Sequence, residues 1–191
     1  MNNEFEYYLV RPVFDGTIPT VRDKDGCSRY AGIMRLCLAS PVPKKPRMVD
    51  YHSLDGADAV YYQKVCDVLK PMKIKGVDLK PVIITGKKGE EHCNYYFADI
   101  YNEILSFDKE RSVYDLFNDE EVDRWLCVDK IVLNTELLSK IPLEDRLIYV
   151  SIEHSGQILY HKSVVDTIMS VNPEGVTFIP VETWNPEIMF D

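Results

Sequence analysis

No run in the 191-residue sequence approaches the eighteen or so apolar residues that a membrane span needs, and the start, Met-Asn-Asn-Glu-Phe-Glu, has neither the basic opening nor the apolar core of a signal peptide. A cytoplasmic address and no membrane partner are the expectation. Paired cysteines are also missing: Cys27, Cys37, Cys66, Cys93 and Cys127 are odd in number, scattered and free of any Cys-x-x-Cys spacing, which reads as reduced thiols rather than a disulfide frame or zinc site. His52, His92, His154 and His161 include no pair four residues apart, so no zinc ligand set stands out. No Gly-x-Ser-x-Gly elbow accompanies the serines. The run Gly86-Lys87-Lys88-Gly89 lacks the Gly-Lys-Ser/Thr ending and the following helix of a phosphate loop. Positive charge is scarce as well. Thirty-one acidic side chains against 22 basic ones leave a formal charge of −9, which repels nucleic acid unless a dense basic patch outweighs the field. The one basic cluster, Lys44-Lys45-Pro46-Arg47, follows Ser40-Pro41-Val42-Pro43 and reads as an extended linker.

What the chain does have is internal likeness. Val60 to Val82 aligns without a gap on Leu159 to Val181 at a constant offset of 99, with seven of 23 columns identical: Tyr61/Tyr160, Val65/Val164, Asp67/Asp166, Gly76/Gly175, Val77/Val176, Pro81/Pro180 and Val82/Val181. Chance would supply roughly one or two. Tyr61, Val65 and Leu69 recur at helical spacing, as do Tyr160, Val164 and Ile168. Gly76 and Gly175 follow as helix stops at positive φ, and a proline-bearing strand comes next, suited to a sheet edge or a bulge. The unit is a helix-turn-strand module, present twice.

At 46% hydrophobic content the chain buries a real core. Phe5 to Pro12 is rich in aromatic and β-branched residues and predicts a strand; Leu79 to Thr85 and His92 to Ile100 predict a hairpin across the polar turn between them. The expected fold class is α+β, with a mostly antiparallel or mixed sheet and a few short helices. Residues 1–45 read as an N-terminal strand and linker element, and residues 46–191 as the main α+β domain carrying the repeat.

Chemistry-bearing clusters are few. His92 and Cys93 are adjacent on a predicted strand and point to opposite faces. The carboxylates Asp119, Glu120, Glu121 and Asp123 form an acidic run that suits electrostatic contact with a basic protein, and Trp184, near the end and beside Pro186, is either a core aromatic or an interface anchor. These five are the candidate partner-binding residues. No residue is put forward as catalytic, cofactor-binding or metal-ligating.

The ordered blocks "KGVDLKPVIITG", "NYYFADIYNEILSFDKERSVYD", "VDKIVLNTELL", "EDRLIYVSIE", "ILYHKSVVDTI" and "PEGVTFIPVETW" resemble the bacterial immunity-protein family catalogued as the eleventh immunity class of polymorphic toxin systems, from about Met48 to Trp184. The carriers are Gly76-Val77 with Pro81-Val82, Phe107-Asp108 with Ser112, and Gly175-Val176 with Val181, none of them catalytic in kind. The resemblance implies a non-enzymatic protein that neutralises a cognate toxin by binding it. The alternative from the residues alone is a small-molecule-binding or hydrolytic protein using Asp119 to Asp123 with His92; a third is a scaffold, recognised by its oligomeric state.

Overall fold

The structure is a computed structural model and describes residues 3–24, 33–55, 58–116, 125–154 and 157–187. Short strands dominate. Six of them, β2 (Val21–Asp23), β3 (Met34–Leu38), β4 (Tyr51–Leu54), β5 (Asp58–Tyr62), β6 (Val77–Thr85) and β7 (Glu91–Ile100), close into a barrel in the order β2-β3-β6-β7-β5-β4. A second sheet has the order β13-β1-β12-β11-β8, from β1 (Tyr7–Pro12), β8 (Glu103–Ile104), β11 (Ile148–Ser151), β12 (Ile158–His161) and β13 (Val176–Pro180). A two-stranded ribbon, β9 (Val113–Leu116) with β10 (Trp125–Lys130), and three helices, α1 (Gln63–Leu69), α2 (Thr135–Ser139) and α3 (Lys162–Met169), complete the described residues. The fold is α+β with mixed sheets, since β3 runs parallel to β6 and β8 parallel to β11 while most other pairs are antiparallel.

Alternation along the strands sorts side chains between three cores. Met34, Leu36 and Leu38 point into the barrel with Val21, Leu54, Val60, Ile84 and Phe97. Tyr8 and Val10 of β1 face α1 and α3 in a cluster with Tyr61, Val65, Tyr160, Val164 and Ile168. Tyr7 and Leu9 point the other way, to Phe107, Val128, Leu138, Tyr149 and Trp184. The helical spacing read from Tyr61, Val65 and Leu69 thus marks a buried face, although Tyr61 itself lies in β5 rather than in α1.

The proline-bearing strands differ in outcome. β13 is an edge strand, as its Pro180 requires, whereas β6 lies between β3 and β7. Pro81 is tolerated there because the β3 ladder begins only at Val82, so at Pro81 the strand is paired on one side alone.

Pairing in the barrel and in the second sheet follows one pattern. β7 lies antiparallel between β5 and β6, with Tyr96 opposite Tyr61 and Pro81, and Ile100 opposite Val77. β1 lies antiparallel between β12 and β13, with Tyr8 opposite Tyr160 and Pro180, and Pro12 opposite Val176. The match extends to single atoms. Tyr101 N–H donates to the Gly76 carbonyl at 2.9 Å, and Val13 N–H to the Gly175 carbonyl at 3.0 Å. Tyr95 OH donates to the Val49 carbonyl at 3.0 Å, and Tyr7 OH to the Arg146 carbonyl at 3.1 Å. Val21 bridges Leu54 in parallel just as Ile104 bridges Ser151.

Written in chain order, β1-β2-β4-β5-α1-β6 and β7-β8-β11-β12-α3-β13 therefore hold matching places. The first strand of each set is seated in the sheet of the other. Residues 1–45 accordingly contribute β1 to the interior of the five-stranded sheet, between β13 and β12, and β2 and β3 to the barrel. The two sets meet where α1 packs on α3, and the Tyr61 hydroxyl donates to the Tyr160 hydroxyl at 3.3 Å.

Arg146 locks the N-terminal segment down. It is fully buried, donates to the carbonyls of Ile141 and Glu4 and to Tyr7 OH, and pairs with the Glu4 carboxylate at 2.9 Å. A buried guanidinium needs this full set of acceptors.

Candidate functional site

The matching sets differ in what they carry between corresponding strands. Between β2 and β4 stands the single strand β3. Between β8 and β11 stands a longer insertion, residues 105–147, that holds the β9–β10 ribbon and α2. A concavity is built largely from this insertion.

Two segments of it are zipped together. Asp108 N–H donates to the Val132 carbonyl at 2.7 Å, Asn134 N–H to the Ser106 carbonyl at 2.8 Å, and Phe107 bridges Leu133. The Ser112 hydroxyl accepts from Val132 N–H at 3.0 Å. Asp108 fixes the intervening turn, its carboxylate accepting from the backbone of Glu110 and Arg111. Asn134 caps α2 by accepting from Leu137 N–H at 3.0 Å, which starts the helix and sets the direction of Leu137.

Beneath the zipped segments lies Glu153, only 1% exposed. Its carboxylate accepts from the N–H groups of Ser106 and Phe107, both at 3.0 Å, and from the Ser151 hydroxyl at 2.8 Å. Burial of a charge is tolerable only with such donors. Nearby, the Tyr149 hydroxyl is held close to Ser106 Oγ without either completing a well-formed hydrogen bond, and burial pushes the Tyr149 phenol far above its ordinary range.

The resulting cavity has a volume of about 410 Å³, with Leu105, Phe107 and Leu137 as apolar wall and Glu153 at its floor. Asp108, Glu110 and Lys109 also line it, so three carboxylates stand against one ammonium. The same insertion carries the exposed apolar side chains Leu105, Val113, Leu116 and Leu137, with Ile152 next to Glu153, while Val13, Phe14, Ile33, Tyr101 and Met169 are exposed elsewhere. An acidic cavity rimmed by exposed apolar groups can grip a partner.

The acidic residues Asp119, Glu120, Glu121 and Asp123 lie outside the described residues, in the connection from β9 to β10 and so within the same insertion. Trp184 is 6% exposed and sits among Tyr7, Ile179 and Val181, because the turn Val181–Thr183 folds the tail back against the sheet; its ring is a core aromatic and is not presented at the surface. His92 stands on β7, in the barrel, with Glu90 at 3.8 Å and His52 near enough to feel its charge. Among the described residues no group of three histidine, cysteine or acidic side chains is arranged to hold a metal ion. No described helix is long and apolar enough to cross a membrane.

Sequence reasoning missed Glu153, which in Ser-Ile-Glu-His looks like ordinary turn polarity, and it missed Arg146. Neither stands out locally, since beyond Ser151 and Ile141 their partners are 46 or 47 and 139 to 142 residues away.

A search of the curated proteins found no match. The model of the immunity protein family Imm11 matches residues 7–183, which takes in β1 and the barrel strands of the first 45 residues as well as everything from Met48 onward. With the match running through nearly the whole chain, from the strand seated in the second sheet to the tail turn under it, the protein belongs to the Imm11 immunity protein family.

Proposed function

We propose that the protein neutralises one cognate bacterial toxin by binding it, without catalysis, in the cytoplasm of the toxin-producing cell or its kin. Family membership supports an immunity role. The net charge of −9 supports a basic partner, since complementary fields speed encounter and reject wrong partners. One observation carries the choice of surface: the acidic cavity and the exposed Leu105, Val113, Leu116 and Leu137 are drawn largely from residues 105–147, a longer insertion than the β3 segment in the corresponding place of the other strand set. The matched sets build the frame, and the longer insertion is free to answer to a partner. Asp119, Glu120, Glu121 and Asp123, which belong to the same stretch of sequence, add to the negative charge offered to a basic partner, while Trp184 supports the sheet from within the core.

The test is co-expression with the toxin encoded by the adjacent gene. Growth is expected to be rescued and a stoichiometric complex to co-purify. Undiminished toxicity, or rescue with no complex formed, overturns the reading.

A further inference from the structure

We propose that the cavity under residues 105–112 is a receptor for one basic side chain of the toxin, an arginine or a lysine, whose charged head meets Glu153 while its stem lies along Leu105, Phe107 and Leu137. The inference rests on the binding role proposed above.

Four observations converge. Glu153 is a 1% exposed carboxylate whose three donors, two backbone N–H groups and a serine hydroxyl, are all neutral. No arginine, lysine or histidine forms an ion pair with it among the described residues, so the charge is solvated by dipoles but not compensated. A buried carboxylate gains most from a cation that arrives already shielded from water.

The shape agrees with that charge. Leu105 is 50% and Leu137 38% exposed, and both line the mouth of the same cavity, an arrangement that matches a side chain with an apolar stem and a polar tip. A volume of about 410 Å³ is at the small end for ligand sites, large enough for a side chain and small for a drug-sized molecule. Three carboxylates against one ammonium in the wall exclude an acidic guest. Finally, the residues that shape the mouth are fixed from below: Glu153 holds the Ser106-Phe107 backbone, Asp108 its turn, and Asn134 the start of α2. The receptor is pre-formed, which spares an incoming side chain much of the cost of ordering its site.

Two arms test it. In the first, the isotope-labelled full chain is titrated with N-acetyl-arginine methylamide, N-acetyl-lysine methylamide and the uncharged N-acetyl-norleucine methylamide. Amide shifts at Leu105, Phe107, Asn134 and Leu137 are expected with a basic probe and not with norleucine; equal response to all three, or none, overturns the proposal. In the second, Leu137→Lys places a competing ammonium at the mouth on an exposed position that the fold does not need. Affinity for the adjacent-gene toxin is expected to fall at least tenfold, with Leu137→Ala losing much less and the melting temperature of both variants unchanged. Wild-type affinity in Leu137→Lys sinks the receptor while leaving toxin binding intact. Absence of any complex with the unaltered protein removes the binding role itself.

Discussion

Replacing Gly175 with alanine separates two costs that the structure places on one residue. Gly175 sits at φ +92°, where an L side chain is strained, and a Cβ built on it falls 2.7 Å from Val49 Cγ2 and 2.8 Å from the Tyr51 carbonyl oxygen. The backbone contact is the harder to relieve, because Tyr51 is held in the β4–β5 ladder opposite Tyr61. Left-handed strain costs about 1–2 kcal/mol, and overpacking against a fixed neighbour about 1–3 kcal/mol more. The sum, roughly 2–5 kcal/mol, corresponds to a melting temperature lower by about 4–20 °C for a chain of this size. Gly89 supplies the control: its φ is +84°, yet nothing lies within 4 Å of a Cβ there, so Gly89→Ala carries the strain alone, about 2–8 °C. Gly16, with no positive φ and open space around it, is expected to tolerate alanine within error. Gly76→Ala belongs with Gly175→Ala, since its Cβ meets Asn102, whose amide donates to the carbonyls of Asp145 and Ile148. Differential scanning calorimetry of the four variants reads the series. Equal losses for Gly175→Ala and Gly89→Ala refute the claim that close approach, beyond conformation, requires glycine at position 175.

Other outcomes follow from the same geometry. Tyr160→Phe removes the acceptor of the buried Tyr61 hydroxyl and is expected to cost about 1–3 kcal/mol, with Tyr61→Phe/Tyr160→Phe costing less than the sum of the singles in a denaturant double-mutant cycle; strict additivity denies the contact. Burial pushes the His52 pKa below its ordinary 6.5, against the smaller upward pull of its bond to the Pro19 carbonyl. The unfolded chain therefore binds the proton first as pH falls below about 6.5, and stability drops with falling pH in that window. His52→Gln is expected to flatten this slope between pH 7.5 and 5, measured by melting temperature, and an unchanged slope excludes His52 as its source. A protease site placed in the turn between β6 and β7 is expected to yield two fragments that co-elute at the mass of the intact chain, because β1 pairs with β12 and β13, and β7 with β5 and β6. Separation of the nicked fragments without denaturant contradicts the exchanged seating of the two strands.

Local signals carried the sequence reading, and distant pairing escaped it. The helical face of Val65 and Leu69, the positive φ of Gly76 and Gly175 and the hairpin of β6 and β7 are each decided within a few residues, and each was legible. The match of Tyr7-Tyr8 with Tyr95-Tyr96 is also written in the chain, yet at an offset of 88 instead of 99, because the insertions before and after the paired strands differ in length. Only the registers reveal it. The cavity was not legible for the same reason: Glu153 meets Ser106 and Phe107 across 46 or 47 residues, and a single glutamate in a polar turn carries no periodicity. Trp184 reads equally as anchor or core until the fold-back of the tail is known.

Synthesis order gives the exchanged first strand a temporal consequence. Tyr8 leaves the ribosome 152 residues before its partner Tyr160, an interval of roughly 8–30 s at ordinary elongation rates. During that time β1, apolar on both faces, has no ladder to join, and it gains both its neighbours only when translation is nearly done. Under the proposed toxin-binding role, protection would therefore switch on late and all at once, and a cell relying on it would need a reserve of finished molecules before the toxin arrives.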